Sequence, residues 1–285
     1  MAGNRKSKWQ RAKNPQRLIL QERDKDIMMS VYEYRFLTRE QIQRLFDFNC
    51  VSKANLRLRR LYDHNYLSRT FIPTSRGSLK AIYFLGGKGL NIITEKLGLD
   101  PLEVKNNQKK VSQLKSLFLR HNLNLNEVKI SFSKAIERYH SINLELWVND
   151  HDCLQEYYLS HAGQKVKRIF RPDGYFRLSC KDKLYSFFVE LDQSTESHKK
   201  FKKKVESYLE FAGRGYYQKI FGVRYFRCLI IAPSIKRLTN LKKTVEEVTD
   251  KVFWFTTLER VVSEDVFSPI WQRAGHNNLH SLIEA

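Results

Sequence analysis

The sequence predicts an α/β (α+β) protein in two parts: a short helical part with a β-hairpin, then a longer part in which strands and helices alternate. Three observations support this prediction. Apolar residues recur at helical spacing between residues 23 and 64, two short strand-like segments follow, and the periodicity changes after residue 112. With 42% hydrophobic residues among 285, the chain can bury cores in one or two domains.

The charge of the chain indicates the kind of partner. Its formal net charge is +21, from 51 Lys and Arg against 30 Asp and Glu. Such an excess repels itself unless it faces a polyanion, and nucleic acid is the usual one. We find no signal peptide and no apolar run that could span a bilayer, so a membrane partner is not expected. The four cysteines are scattered and form no CxxC pair, so the sequence indicates neither a zinc site nor a disulfide framework, and a reducing cytoplasm fits best. They are Cys50, Cys153, Cys180 and Cys228.

Residues 1–22 are predicted to form a basic flexible arm. The first nineteen residues carry basic side chains and no acid: Arg5, Lys6, Lys8, Arg11, Lys13 and Arg17. Such an arm is solvated in the free protein, but it can add phosphate contacts and make DNA binding sensitive to salt.

Residues 23–98 have the element order of a winged helix-turn-helix. A first amphipathic helix is followed by Thr38 and Gln41, whose spacing is a capping box that starts a second helix. A basic third helix is predicted over 53–64, and two strands of a hairpin follow it. A final amphipathic helix ends at Gly98, and residues 99–112 are predicted to be a linker or linker helix.

The third helix and the hairpin are the candidate DNA-contacting elements. A basic helix docked in the major groove can present arginines to guanine edges and phosphates of double-stranded DNA. The predicted DNA-binding residues are Arg39, Arg57, Arg59, Arg60, Arg69, Arg76 and Lys80. The alternative is a three-helix module that binds a protein and whose arginines only solvate a face.

Residues 113–285 are predicted to form an α/β domain with a mixed sheet. A helix over 113–139 is followed by strand-like segments and then by a basic helix over 197–213. A strand, a helix and a strand come after it. This order is typical of a sheet with helices on its faces.

Three acids in this part are spaced as a metal site requires. Asp173 stands at a strand start, and Glu190 and Asp192 stand at the end of an apolar strand. Side chains at i and i+2 share a face, and Asp173 joins them if the two strands are neighbours. Such oxygen ligands suit Mg²⁺ or Mn²⁺. Alternatively, Asp173 is a turn residue, and Glu190 or Asp192 caps a helix or pairs with the basic helix.

The basic helix after the acids can be capped by Thr195 or Ser197. Lys200, Lys204 and Tyr208 repeat at i, i+4 and i+8 and so share one face. A solvated basic face is the plain interpretation of most of these lysines. At least one of them could point at the acids and hold a phosphate or a water.

Several sequence blocks, taken together and in order, carry a family resemblance. They are YEYRFLTREQIQRLF, RLRRLYDHNYLSR and IYFLGGKGL, then HNLNLNEVKI, RPDGYF and FFVELDQSTE, followed by the lysine-rich helix that ends at Tyr208. At these residues the chain resembles the replication-relaxation proteins of plasmids and mobile elements, whose relatives include the MobC-type relaxases. The resemblance implies a winged helix joined to a restriction-endonuclease-like domain of the PD-(D/E)xK kind.

The resemblance also implies a metal site with one departure. In such folds an Asp and a Glu on adjacent strands bind the metal, and Asp173 and Glu190 match them. The catalytic lysine position holds Asp192 instead. Either a lysine of the next helix replaces it, or Asp192 is a further ligand, or the site is inactive. The candidate lysines are Lys199, Lys200 and Lys203. An acid on the preceding helix often completes such sites; Glu127 matches it, one to two turns after His121.

The predicted function is a sequence-specific DNA-binding protein of a mobile element that acts as a Mg²⁺- or Mn²⁺-dependent nickase or relaxase-like endonuclease. The alternative is a non-catalytic initiator, regulator or recruitment factor on a degenerate nuclease fold. Without a three-histidine cluster, Tyr208 is expected to pack or hydrogen-bond rather than to attack DNA. Other replication or mobilisation proteins are expected partners. An inverted-repeat target would indicate a homodimer. An RNA-binding signature is not found.

Overall fold

The structure, a computed structural model, describes residues 9–72, 80–112, 116–150, 152–161, 164–194 and 196–283. The chain divides into two compact units, Met1–Asn126 and Glu127–Ala285, and each is described by itself. Along the described residues, no helix combines the length and the apolar character needed to cross a bilayer.

The first unit is mainly helical and contains a small antiparallel sheet with the strand order β1-β3-β2. Its elements are α1 (Glu22–Glu33), β1 (Leu37–Thr38), α2 (Arg39–Leu45), α3 (Val51–Asp63), β2 (Leu67–Ile72), β3 (Lys80–Leu85), α4 (Gly87–Leu97) and α5 (Pro101–Ser112). The long helix α6 (Ser116–Ile136) contains the boundary between the units. The predicted linker over 99–112 therefore includes a helix.

The predicted capping box starts α2. Thr38 Oγ1 accepts a hydrogen bond from the Gln41 N–H at 3.2 Å, and Gln41 Oε1 accepts one from the Thr38 N–H at 2.9 Å. Gln41 also donates from Nε2 to the Leu123 carbonyl at 2.8 Å. The buried side chain of Gln41 therefore caps the start of α2 and also binds α6.

The predicted flexible arm over 1–22 is held in place from Trp9 onward. The Trp9 ring packs edge-on against Phe71 at 4.5 Å between centroids. The Ala12 N–H donates to Asp63 Oδ1 at 2.9 Å. The prediction of a flexible arm missed these contacts because it considered only the charges of this stretch. Its aromatic ring packs on β2, and its backbone groups form hydrogen bonds with α3. Residues 1–8 lie outside the described part of the chain.

The second unit is built on a seven-stranded mixed sheet with the strand order β12-β11-β10-β9-β8-β7-β4. The strands of this unit, including two outside the sheet, are β4 (Ile142–Asn149), β5 (Gln155–His161), β6 (Gln164–Phe170), β7 (Gly174–Cys180), β8 (Lys183–Leu191), β9 (Arg227–Ala232), β10 (Phe253–Thr257), β11 (Trp271–Arg273) and β12 (Leu279–His280). Its further helices are α7 (His198–Gly213), α8 (Tyr216–Phe221), α9 (Ile235–Glu246) and α10 (Leu258–Ser263). Strand β9 is parallel to β8 and β10, and the other pairs are antiparallel.

Helices cover both faces of this sheet. Phe201 and Tyr208 of α7 are buried in one core cluster with Phe188 of β8. On the opposite face Phe132 of α6 packs against Phe176 of β7 at 4.6 Å between ring centroids. The predicted mixed α/β architecture is confirmed for this unit. Strands β5 and β6 form a separate two-stranded ribbon. Of these two, the apolar pattern of the sequence predicts only the second, over 165–171.

Candidate functional site

Two carboxylates meet where β7 begins and β8 ends. The two strands pair antiparallel with Gly174 opposite Val189, so Asp173 lies beside the end of β8. The Leu191 N–H donates to Asp173 Oδ2 at 2.8 Å. Asp173 is thereby fixed next to Glu190, as expected if the two strands are neighbours.

Glu190 is enclosed by side chains of α7. It is only 3% exposed, and its Oε1 accepts a hydrogen bond from the Tyr208 hydroxyl at 2.6 Å. Its Oε2 accepts one from Lys204 Nζ at 2.5 Å. Burial raises the pKa of Glu190 to about 7; Lys204 acts in the opposite direction, and Asp173 adds to the rise. The carboxyl therefore changes protonation near neutral pH.

Lys204 and Tyr208 keep their protons. Burial alone would lower the pKa of Lys204, but the negative charges of Glu190 and Asp173 outweigh it and raise that pKa. The pKa of Tyr208 is raised, first by burial and then by the neighbouring Cys228 and Glu190. Tyr208 thus packs in the core and donates a hydrogen bond as a neutral phenol.

Asp192 has a different partner. Its carboxylate forms a two-pronged ion pair with Arg237 of α9, with Nε and Nη2 each 2.8 Å from an oxygen. Its Oδ2 also accepts the Ser194 N–H at 2.9 Å. The salt-bridge alternative for Asp192 therefore holds, but the partner comes from α9 and not from the basic helix α7.

The lysine beside Glu190 is Lys204. It lies on the face of the basic helix from which at least one lysine was expected to point at the acids, but it is not one of the three lysines named for the catalytic position. Lys199, Lys200 and Lys203 are all exposed. The reason is helical geometry: Phe201, Val205 and Tyr208 are the side of α7 that packs on the sheet, and position 204 borders this side. The i, i+4 spacing of Lys204 and Tyr208 was the sequence signal for this contact.

The predicted metal ligands do not gather as one set. Within the described ranges, no three His, Cys, Asp or Glu side chains form a group that could hold a metal ion. Glu127 and His121 are both half-buried on α6, and the boundary between the two units falls between them in the sequence. The site therefore offers the two carboxylates of Asp173 and Glu190.

In the first unit, two of the predicted DNA-binding arginines bind within the protein. Arg57 pairs with Asp24 of α1, with Arg57 Nε 2.7 Å from Asp24 Oδ1, and Asp24 is only 1% exposed. Arg59 Nε donates to Asp63 Oδ2 at 2.8 Å, and its Nη2 donates to the Gln10 carbonyl at 2.9 Å. The guanidinium group of Arg57 thus links α3 to α1, and that of Arg59 links α3 to the arm.

The exposed surface of α3 lies in its N-terminal half. It consists of Val51, Ser52, Lys53, Asn55 and Leu56. Leu56 is 57% exposed, whereas Ala54, Leu58 and Leu61 are fully buried. The sequence interpretation missed Lys53 and Asn55 because it followed the arginines. The spacing of the buried residues is the signal that separates the two sides of the helix.

The other predicted DNA-binding residues lie around this surface. Arg39 pairs with Glu40 at 2.7 Å and donates to Asn55 Oδ1 at 3.4 Å. Arg60 and Arg69 are half-buried, and Lys80 is exposed at the start of β3. The Arg69 guanidinium lies 4.2 Å from the centre of the Tyr62 ring. Arg76 lies outside the described residues.

Comparison with known proteins identifies the family. The sequence profile of the replication-relaxation family matches residues 28–224, well over half of the chain. The chain belongs to the replication-relaxation family. The matched segment of this family member contains Asp173, Glu190, Lys204 and Tyr208, whereas Arg237 lies beyond it.

Two further comparisons add little to the family assignment. No curated protein matches this replication-relaxation chain. Among solved structures, restriction endonuclease FokI is similar at 11% sequence identity with a TM-score of 0.33. The match covers 84% of this chain and 42% of the FokI chain, so the chain spans less than half of FokI.

Proposed function

We propose that this chain is a sequence-specific double-stranded-DNA-binding protein that cleaves one DNA phosphodiester with a bound divalent metal, in the replication or mobilisation of a plasmid or other mobile element. The observation that carries the proposal is the contact of Lys204 with Glu190 beside Asp173. An acid pair next to a lysine ammonium is the set of groups that metal-dependent phosphodiester cleavage uses.

Asp173 and Glu190 would hold Mg²⁺ or Mn²⁺. Mg²⁺ commonly takes one or two protein carboxylates and keeps several waters, so two carboxylates fit it. Each carboxylate oxygen of Glu190 accepts one hydrogen bond, from Lys204 or from Tyr208, and keeps a further lone pair. The bound metal would lower the pKa of a water and stabilise charge on the phosphoryl group. In this proposal Glu127 and Asp192 are not ligands.

The protein's own groups would arrange the site. The Leu191 N–H orients Asp173, and the Tyr208 hydroxyl orients Glu190. The Lys204 ammonium would then donate a hydrogen bond to a phosphate oxygen as negative charge grows on it. In the resting protein the same ammonium balances the charge of Glu190.

The first unit would select the DNA. Its helices α1, α2 and α3 and the strands β2 and β3 follow the order of a winged helix-turn-helix. Lys53 and Asn55 on the exposed half of α3 would contact base edges and backbone in the major groove. Lys80 and the exposed Lys13 and Arg17 of the arm would contact phosphates.

A plasmid nicking assay tests this function. Supercoiled DNA carrying the native locus is incubated with Mn²⁺ and wild type, Asp173→Asn or Glu190→Gln, and duplex affinity is measured in parallel. Metal-dependent open-circle product is expected from wild type only, with duplex affinity close to equal in all three. Equal product from the variants would overturn the assignment of the site.

A second function is favoured by the burial of Glu190 and the closed ion pair of Asp192 with Arg237. Such a site suits a non-catalytic initiator or recruitment factor on a nuclease-like scaffold. A ligand that binds only the native state raises the melting temperature. Binding of the native duplex without any melting-temperature shift in Mn²⁺ and without open-circle product would favour this second function.

A further inference from the structure

The two-stranded ribbon formed by β5 and β6 is fixed on the second unit by one of its faces. Tyr157 and Phe170 on that face are buried, and the Phe170 ring stacks on Phe211 of α7 at 4.2 Å. The hydroxyl of Tyr216 donates to the Tyr158 carbonyl at 2.7 Å. The inner face of the ribbon is therefore fixed to α7 and to Tyr216.

The opposite, outer face of the ribbon is exposed and mixes aromatic and cationic side chains. Tyr158 and Ile169 are 55% and 56% exposed. The strand register places Tyr158 across from Lys167 and Glu156 across from Ile169. Alternation along β6 brings Lys165 to the same face. Lys167 is held along this face by an ion pair with Glu156 at 2.7 Å.

We propose that the outer face of this ribbon binds single-stranded DNA. An unpaired base would stack on the Tyr158 ring, and Lys165 and Lys167 would contact the flanking phosphates. Exposed aromatic rings beside cations are the recurrent platform for single strands, because every base has a stacking face and every nucleotide a phosphate. The net charge of +21 complements such a partner.

The composition of the face favours a single strand over a duplex. In a duplex the base planes are covered by their neighbours, and only base edges are open to a ribbon in the major groove. Edges are read by hydrogen-bonding side chains such as Arg, Lys, Asn and Gln, so a duplex offers the exposed Tyr158 ring no base face to stack on. The described side chains of the outer face are those of Glu156, Tyr158, Lys165, Lys167 and Ile169, and an unpaired base would cover the Tyr158 ring.

The proposal rests on the proposed function only in taking DNA as the partner. Neither the carboxylates of Asp173 and Glu190 nor the surface of α3 takes part in it. Its test therefore needs no divalent metal and no specific duplex, so its failure and the failure of the nicking assay can be told apart.

Fluorescence anisotropy of the full chain with a labelled oligo-dT of about 15 nucleotides tests the proposal. Tyr158→Ala should bind at least about fivefold more weakly, because a stacked base is lost. Tyr158→Phe keeps the ring and should bind like wild type. The matched control is Tyr225→Ala, which removes a tyrosine that is 84% exposed elsewhere in the same unit; its affinity should not change.

Two further measurements separate stacking from charge. An abasic strand of the same length offers phosphates only, so wild type and Tyr158→Ala should bind it equally. The double variant Lys165→Gln/Lys167→Gln should lower the slope of log affinity against log salt by about 1.4, since each single-strand phosphate contact contributes about 0.7. Wild-type affinity for oligo-dT in Tyr158→Ala, or no binding of oligo-dT by wild type at about 50 mM salt, would overturn the proposal.

Discussion

Lys204 Nζ lies 2.5 Å from Glu190 Oε2, and this contact joins the middle of α7 to the end of β8. Glu190 is almost fully buried, whereas the Lys204 side chain is 31% exposed. A buried carboxylate needs a cation or a proton, because an isolated charge in the interior is costly. Lys204 thus balances the charge of Glu190 and keeps part of its side chain at the protein surface.

Under the proposed function, replacing Lys204 should slow DNA cleavage, whereas replacing its neighbour Lys203 should not. For Lys204→Met we expect open-circle formation to slow by about 100-fold or more, the usual effect of removing one charged donor from a developing oxyanion. Lys203→Met, which alters an exposed side chain of the same helix, should cleave like wild type. Rates of supercoiled plasmid loss in Mn²⁺ measure both, and equal losses would contradict the role of Lys204.

The ion pair of Asp192 with Arg237 predicts a stability effect. Their side chains are 5% and 14% exposed, so Asp192→Ala leaves a largely buried cation without its carboxylate. The free energy of unfolding should fall by about 3 kcal/mol. The double variant Asp192→Ala/Arg237→Ala should recover part of this loss, because it leaves no unpaired charge. Urea unfolding, followed by tryptophan fluorescence, measures the free energy of unfolding of wild type, both single variants and the double variant. If the double variant loses as much free energy as the two single variants together, the two side chains are not coupled.

The pKa of Glu190 predicts how stability depends on pH in metal-free buffer. Because burial raises this pKa from 4.5 to about 7, the folded state keeps a proton that the unfolded state loses between these values. The free energy of unfolding should therefore fall as pH rises through this window. The raised pKa of Lys204 keeps its ammonium charged throughout.

Glu190→Gln is the reference for this pH effect, because its side chain cannot ionise. The melting temperature of wild type minus that of the variant should decrease between about pH 5 and about pH 8. Circular dichroism at both pH values measures it. A difference that stays constant or increases would contradict the raised pKa.

The partners of Arg57 and the exposure of Lys53 predict opposite phenotypes on one helix. Arg57→Ala leaves the buried Asp24 without its cation, so thermal stability should drop clearly. Lys53→Ala alters an exposed side chain, so it should keep the melting temperature and weaken duplex binding with a smaller salt dependence. Melting curves and anisotropy on the native duplex test both. A stable Arg57→Ala with lost DNA affinity would reverse the two roles.

Local patterns in the sequence were sufficient for most elements. The capping box of Thr38 and Gln41, the strand that ends at Leu191 and the basic helix from His198 follow from capping, apolar runs and periodicity. The i, i+4 relation of Lys204 and Tyr208 was readable as well. Strand β5 was missed because its two faces mix polar and aromatic residues without a clear apolar run.

Pairing partners distant in sequence could not be derived. Asp192 finds Arg237 forty-five residues later, and Arg57 finds Asp24 thirty-three residues earlier. Arg57 and Arg59 were predicted to bind DNA from their charge alone. In the folded protein, a guanidinium also binds any carboxylate or carbonyl oxygen that is oriented to accept its hydrogen bonds. Which cations of α3 reach solvent depends on the elements packed against it.

The sequence by itself determined the charge of +21, most of the element order, the motifs that carry the family resemblance, and the positions of Asp173 at a strand start and of Glu190 and Asp192 at a strand end. These follow from composition and from local backbone and side-chain preferences. Only the tertiary structure decided that Lys204 meets Glu190 and that Asp192 is bound to Arg237. The physical reason is that burial and ion pairing depend on distances between elements, which the folded sheet and its helices set.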